Sequence, residues 1–565
     1  MRPAGKGEHD SLYFDYPHFP FVRPPELDGE AVRHRVAIVG AGPVGVTAAL
    51  ELARHGIASV VLDDKATVND GSRAICISRH SLEILQQLGV DGPFTAKGLG
   101  WTQGRTYYRD REILRFRMPH SDQERYAPMV NLQQQYIERF LIDKAAESER
   151  IELRWQSAVT GVSQGAEGVT LEVATPEGDY RLECDYLLAA DGGRSRVREA
   201  LGLALHGQAY EGRYVIADVR LESDFPTERR AFFHSKALPD TTVLVHKQPD
   251  DIWRIDYQLG PDEDPDRAVE EASIREKVGL IVREVMQEGE EWELEWWSLY
   301  KAYTLALEDY RHGRVLFIGD SAHLVPIFGV RGLNNGLADA ANAGWKLAWV
   351  LEGLAPERLL DSYSPERRGA TLDVFANAGK STRFMTPPSR GHRLMRDAAL
   401  SLALANDYAS GFADPRQVTP YTYAESPLTL ADDPGFTAGP IPGAPLVNRR
   451  LGEDNYLLDH LGTGFTLLRF GEDGTLAPGL ADRLATLRAR GHELAVVSIA
   501  RRPGAEGALV DADGGCFAAY GAAPGSAYLV RPDRHVAARW RAFDPAALDH
   551  ALNHAQGWAL EGERS

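Results

Sequence analysis

From residue 35 the chain alternates between two kinds of apolar run. VAIVG (36–40) is short, β-branched and closed by glycine. GPVGVTAALELARHG (42–56) carries apolar residues at helical spacing, and ASVVLDD (58–64) is again short and β-branched. Strand, helix and strand in that order predict a βαβ unit that opens a doubly wound parallel sheet. Residues 151–193 read as a meander that ends in a buried strand, YLLAA. Between 210 and 300 apolar and polar positions alternate with period two (YVIADVRLES, TTVLVHK, DIWRIDYQL), which predicts an antiparallel sheet. RVLFIG (314–319) returns to the buried-strand pattern, and helical spacing follows to about residue 410. Residues 426–446 are rich in proline and glycine and read as a linker. The tail, 447–565, has strands (GFTLLRFG, ELAVVSIA, SAYLVRP) and helices of its own. Residues 1–33 are aromatic and proline-rich without period, and read as an arm on the surface. The expected division is 34–205 with 308–385 as one domain, 206–307 as a second, 386–445 as helical segment and linker, and 446–565 as a third.

With 565 residues, 44% hydrophobic and 25% charged, the chain has material for several sizeable cores. A net charge of -19 argues against nucleic acid or an anionic membrane as the main partner. The three cysteines, Cys76, Cys184 and Cys516, are far apart and form no CxxC pair, so zinc ribbons and dithiol chemistry are not expected. The first residues lack an apolar signal core, and no run of about 18 apolar residues occurs. With scattered thiols this leads to the expectation of a cytoplasmic protein.

The turn Gly40-Ala-Gly42-Pro43-Val-Gly45 follows a strand and opens a helix. Glycines there allow a tight turn and let backbone approach a pyrophosphate, which then rests on the helix N-terminus. Asp63 ends the second strand, where it can accept a hydrogen bond from a ribose hydroxyl. This much leaves FAD and NAD(P) both open. Two later turns favour the flavin, whose ribityl chain and ring reach past the pyrophosphate and need further loops: DGGRSRVR (191–198), which begins at Asp191, and Gly319-Asp320. Asp320 can hold a ribityl hydroxyl or the pyrophosphate, Arg73 can place positive charge near the phosphates, and Gln134 can bond the ribityl chain or flavin edge.

GAGPVG, DGGRSRVR and GDSAHLVPIFGVRGLNNGLADAANAGWKLAWVLEG, followed by DSYSPERR (361–368), resemble the fingerprints of the single-component, class A flavoprotein aromatic hydroxylases. The nearest subgroup is that of 3-(3-hydroxyphenyl)propionate and phenol hydroxylases. The resemblance implies a Rossmann-like α/β FAD-binding domain with an inserted antiparallel-sheet substrate domain of the p-hydroxybenzoate hydroxylase kind. YLVRPDRHVAARW (528–540) resembles the thioredoxin-like C-terminal domain of phenol hydroxylase relatives. The implied reaction uses NADH or NADPH to reduce FAD and O2 to form a flavin C4a-hydroperoxide, which hydroxylates a phenolic ring. By the same resemblance the helix beginning at Gly332, Leu333 and Asn334 aims its positive end at the flavin, with Arg331 beside it. Pro326, Ile327 and Phe328 form an apolar wall that protects the hydroperoxide. Ile327 stands where many relatives have a second proline.

For the substrate side, strand alternation separates Trp253, Ile255 and Tyr257 from Arg254, Asp256 and Gln258. Tyr257 and Arg254 are the candidates for touching the phenol, and His323 is expected to shape its loop. No metal is expected, and a homodimer or higher oligomer is. The alternatives are a monooxygenase of the same fold acting on a polyketide or antibiotic, and a flavin-binding sensor or scaffold without turnover.

Overall fold

The computed structural model describes residues 1–558 except 240, 261, 290, 327–328, 415–418 and 492–493. Five strands form a parallel sheet in the order Val315–Phe317, Gly178–Ala189, Arg33–Val39, Ser59–Leu62, Ile151–Arg154, with Arg311–His312 added antiparallel at one edge. Ser59–Leu62 and Val315–Phe317 are short and wholly buried, and Arg33–Val39 and Gly178–Ala189 are buried over their last four residues, as expected where both faces of a parallel sheet are covered. Four predicted turns, those of Gly40, Asp63, Asp191 and Gly319, all leave the carboxyl ends of these strands. That edge is where open α/β sheets bind ligands. Helix Pro43–Arg54 packs on helix Gly332–Leu351. The approach is close enough that a Cβ on Gly336 would lie 2.6 Å from Val44, and one on Gly344 2.6 Å from Glu51.

A second, eight-stranded sheet runs in the order His323–Leu324, Glu293–Ala306, His206–Arg220, Ile252–Gln258, Thr242–Lys247, Arg229–Phe233, Gln103–Tyr108, Arg111–Arg117. All its pairings are antiparallel except Arg229–Phe233 with Gln103–Tyr108. The last two strands come from far upstream of the alternating region, where charge and glycine obscure their period. One face packs Val215, Val243, Trp253, Ile255 and Tyr257 against Ile274 and Val278 of helix Glu271–Ile281. The opposite face looks toward the loops of the parallel sheet.

Near the C-terminus a five-stranded sheet has the order Leu509–Val510, Leu494–Ala500, Phe465–Gly471, Ala527–Val530, Val536–Trp540. The first three strands are parallel and the last two antiparallel. Phe465 meets Trp345 and Trp349 of the long helix edge-on, at 6.0 and 5.1 Å between ring centroids. The same seam buries an ionic cluster. Glu366 accepts from Lys346 Nζ (2.6 Å) and from both terminal nitrogens of Arg531 (2.6 and 2.9 Å), and Arg531 also pairs with Asp533.

Two segments without period prove to be docked structure. The stretch 426–446 buries Leu428, Phe436 and Leu446, and Leu430 N donates to Ala537 O at 3.0 Å. The N-terminal arm inserts Arg2 between Asp70 (2.8 Å) and Glu295 (2.7 Å), and the Met1 amino group donates to Trp297 O at 2.8 Å. The arm is therefore buried against the body at its very start.

Candidate functional site

The glycine turn has the form a pyrophosphate needs. Gly40 has φ +105°, and a Cβ on it would overlap the Ala190 carbonyl; a Cβ on Gly45 would overlap the carbonyl oxygen of Gly40. Gly42 is different: a Cβ there meets no protein atom within 4 Å. Gly40 and Gly45 are thus required by the protein itself, and the space over Gly42 is open for a ligand. Pro43 takes the first helical position, where its missing N–H costs nothing. Asp63 accepts from Ala41 N (2.7 Å) and Lys65 N (3.0 Å), which fixes its half-buried carboxylate beside the turn. Desolvation raises the pKa of its carboxyl above the ordinary value.

On the other side of the crevice Asp191 accepts from Val197 N at 3.0 Å through Oδ2, while its buried Oδ1 has no partner. Burial pushes its carboxyl up, and a hydrogen-bond donor from a ligand would relieve that. Asp320 is solvent-accessible, yet desolvation raises its carboxyl too, with His323 and Arg73 opposing. Arg73 itself is exposed, within Coulombic reach of Asp320. Gln134 sits close by with its side chain already engaged. Its Oε1 accepts from Arg73 N (3.2 Å) and Ala74 N (3.0 Å), and its Nε2 donates to Glu138 (2.8 Å). It shapes the 72–74 loop.

The long helix begins Gly332, Leu333, Asn334. Its first helical bond is Asn335 N to Arg331 O at 2.9 Å, so the three preceding N–H groups have no intrahelical acceptor and can receive an anion. The Asn334 side chain is spent on Ser78 N (2.8 Å), Ser81 Oγ (2.7 Å) and the Cys76 carbonyl (3.1 Å), which ties the helix start to strand Cys76–Ser78. Arg331 is buried, and burial lowers its affinity for a proton. Pro326 is buried beside the loop, held where Tyr300 Oη donates to Val325 O at 3.1 Å. Ile327 and Phe328 lie outside the described residues.

Asp339 and Arg367, given no role in the sequence analysis, organise this loop. Asp339, seven residues into the helix, accepts from Gly319 N (2.9 Å) and His323 Nε2 (2.7 Å) through one oxygen and from Arg367 Nε (2.6 Å) through the other. Burial alone would raise its carboxyl, but Arg367 and His323 hold it below the ordinary value. Arg367, within DSYSPERR, also binds Asn335 O (3.1 Å) and Tyr423 Oη (2.8 Å). His323 thus shapes the loop, as expected.

The substrate candidates need correction. Tyr257 points into the core under helix Glu271–Ile281, because alternation puts it with Trp253 and Ile255 on the face away from the loops. Arg254 is on the right face, but its guanidinium is committed. It pairs twice with Asp218 (2.8 Å each) and donates to the carbonyls of Arg73 and Ser72. Its place is structural, clamping the sheet to the 72–74 loop. No group of three or more metal-ligating side chains occurs among the described residues.

A strand-turn-helix phosphate cradle, an unpartnered buried carboxylate oxygen and a second helix N-terminus open onto one crevice, so the donor set fits FAD. The model of the FAD binding domain family matches residues 33–378, and that of the HcaD C-terminal domain matches 441–556. The chain belongs to the FAD binding domain family and is an FAD-dependent, class A aromatic hydroxylase. It is 30% identical over 542 residues to the 12-dehydrotetracycline 5-monooxygenase/anhydrotetracycline 6-monooxygenase of Streptomyces rimosus, covering 93% of this chain and 99% of that protein. It is 31% identical over 384 residues to the 3-(3-hydroxy-phenyl)propionate/3-hydroxycinnamic acid hydroxylase of Burkholderia cenocepacia, covering 68% and 69%. The fold resembles that of the flavin-dependent monooxygenase PieE (TM-score 0.75, 24% identity, 93% of this chain and 99% of that one). No helix among the described residues is long and apolar enough to cross a membrane.

Proposed function

We propose that the chain hydroxylates a phenolic aromatic compound at the expense of NADH or NADPH and O2. The observation that carries this reading is that the Gly40–Gly45 turn, Asp191 and Asp320 all follow the carboxyl ends of strands of one parallel sheet, with helix Gly332–Leu351 packed on the helix that the glycine turn opens. Bound and reduced flavin supplies an electrophilic oxygen equivalent there. The Gly42 turn and helix Pro43–Arg54 hold the pyrophosphate, Asp63 the ribose, and Asp320 the ribityl chain. The N–H groups of Gly332, Leu333 and Asn334 favour negative charge at the ring, an effect of up to about 2 kcal/mol when partly buried. Pro326 contributes to a wall that excludes water.

In this reading residues 34–205 with 308–385 bind FAD, 206–307 bind substrate with strands 103–117 added, and 446–565 form a thioredoxin-like domain. Cys516 is buried and free, so that last domain has no redox pair and serves to brace the long helix. Three buried free thiols suit a reducing cytoplasm. A homodimer is expected.

A second reading, oxygenation of a polycyclic phenolic polyketide, is favoured by one observation. The similarity to the Streptomyces rimosus enzyme extends through the C-terminal domain, whereas the match to the Burkholderia cenocepacia enzyme covers 68% of this chain.

The purified protein should be yellow, and a phenol should accelerate NAD(P)H oxidation and yield a hydroxylated product by mass spectrometry. A folded, colourless protein that ignores added FAD would rule the reading out. Asp320→Ala should weaken FAD binding at least about tenfold, since a hydrogen bond to a charged group is worth about 1.5–3 kcal/mol. Fluorescence titration with FAD measures it, and unchanged affinity would remove Asp320 from the site.

A further inference from the structure

The open face of the antiparallel sheet carries a buried polar cluster that neither the fold nor the flavin site uses. Asp256 and His246 lie on neighbouring strands, Asp256 6% and His246 8% exposed, with Asp256 Oδ2 3.9 Å from His246 Nε2. Asp256 Oδ1 is buried with no partner. Gln248, two residues beyond His246 and 1% exposed, has neither amide atom hydrogen-bonded. Buried polar atoms are nearly always satisfied, so the unpartnered Asp256 Oδ1 beside His246 marks a place where a polar ligand completes the set. A purely structural cluster would have closed on itself, as Arg254 and Asp218 do alongside.

The cluster's position also singles it out. Asp256 shares a strand face with Arg254, which reaches the carbonyls of Ser72 and Arg73. Arg229 acts electrostatically on both Asp256 and Cys76. The Cys76 carbonyl is in turn bonded by Asn334 at the start of the long helix. The group therefore lies between the sheet and the loop that approaches the flavin ring, above the Gly332 helix start.

We infer that Asp256, with neutral His246 beside it, accepts the ring hydroxyl of a phenolic substrate and takes its proton as the ring attacks oxygen. This rests on the hydroxylase reading above. The O–H bond breaks, the proton goes to the Asp256 carboxylate, and the electron pair left on oxygen feeds the ring as the new C–O bond forms with the flavin-supplied oxygen. The O–O bond of the oxygen donor breaks as the C–O bond forms, the displaced ring hydrogen leaves as a proton that ends in water with the donor's second oxygen, and Asp256 returns its proton to the ring oxygen. NAD(P)H and O2 supply the electrons and oxygen, so Asp256 only moves a proton.

The electrostatics agree with this role. Burial pushes the Asp256 carboxyl up to about 7, with Arg254 and Arg229 opposing and Asp218 reinforcing the rise. A general base is most effective with its pKa near the working pH. Burial, with Arg229 and Arg254, keeps His246 well below its ordinary value and hence uncharged. These, with Tyr214 on the neighbouring strand and Cys76 behind Arg229, are the titratable and charged groups that face Asp256 among the described residues.

The test uses the FAD-loaded full chain and 4-nitrophenol, whose absorbance reports its own ionisation. An ionised Asp256 at the hydroxyl disfavours phenolate, so the bound probe should ionise at least about one pH unit higher than the free one. Binding should be at least tenfold tighter than that of 4-nitroanisole, which has no hydroxyl proton. Asp256→Asn should retain FAD and abolish the displacement of the probe's ionisation. Equal affinity for the two probes, no saturable 4-nitrophenol binding, or an unchanged displacement in D256N would overturn the inference. The first two outcomes are read on the wild-type protein and need no variant to fold. Turnover is not involved either: a chain that binds the probe as expected but never hydroxylates would sink the proposed function and leave standing only the contact between Asp256 and the ring hydroxyl.

Discussion

Gly45→Ala should yield a colourless protein, and Gly42→Ala a stable one that holds FAD poorly. The two glycines sit three residues apart in one turn, yet the protein needs them for different reasons. A Cβ on Gly45 would overlap the Gly40 carbonyl oxygen and lie 3.2 Å from the Ala190 Cβ, and backbone on both sides cannot yield. Relieving that overlap displaces the turn from the sheet edge, at about 1–3 kcal/mol of stability, and the phosphate cradle goes with it. A Cβ on Gly42 touches no protein atom, and φ −70° suits alanine. Its cost to the empty protein is the small N-cap preference, under about 1 kcal/mol. Its cost to binding is steric, because the added methyl stands where the pyrophosphate approaches, and affinity should fall at least tenfold. Thermal melts of the FAD-free proteins alongside FAD titrations separate the cases. Wild-type affinity in G42A would show that the dinucleotide does not lie over this turn.

Glu366→Gln should destabilise the protein by about 3–5 kcal/mol, the range found when one partner of a buried ion pair is removed. For a unit of 150–250 residues this corresponds to a melting temperature lower by roughly 10 °C. Among the described residues Glu366 is the anion that pairs with Lys346, and both side chains are fully buried. Burial would raise the Glu366 carboxyl, but Arg531 and Lys346 hold it far below the ordinary value. Lys346 itself is brought down to about 8, by burial first, against the pull of Glu366. Without Glu366 it falls further. The sign of the pH dependence follows. Between the folded and unfolded pKa values of a lowered lysine the unfolded state binds more protons, so stability rises with pH. In E366Q that rise begins below pH 8, whereas in the wild type it begins near 8. The deficit should therefore be largest near pH 6 and shrink as pH approaches 8. A deficit that does not change over this window would show that Lys346 carries no proton-linked cost.

Much of the cofactor side was legible in the chain because it is local. A glycine turn is specified by its own backbone: Gly40 and Gly45 are required by atoms within a few residues or on the adjacent strand. Asp63 and Asp320 are readable because each directly follows a recognisable strand. The organising residues behind them were not legible. Asp339 meets Gly319 and Arg367 across 20 and 28 residues, and nothing in LADAANAG distinguishes a buried aspartate from a solvated one. Gln134 and Asn334 stand in the expected places, but their side chains turned out to bond the protein, which only tertiary contacts decide. On the substrate side, period two in DIWRIDYQL separated the faces correctly without telling which one the helix covers. Tyr257 went under helix Glu271–Ile281, and Asp256, on the other face, became the residue of interest.

The N-terminal arm has a consequence for the order of events during synthesis. Arg2 and Met1 are made well before their partners Glu295 and Trp297, which are 293 and 296 residues away in sequence. At 5–20 residues per second those partners follow roughly 15–60 s later. Arg2 also holds Asp70, at the edge of the 72–74 loop that Gln134 and Arg254 complete. These early residues are thus among the last to be seated, and the loop beside Asp320 is clamped only when the second sheet has emerged. Flavin capture should accordingly be a late step on a nearly finished chain, and a tag fused ahead of Met1 would burden that step far more than one placed at the other end.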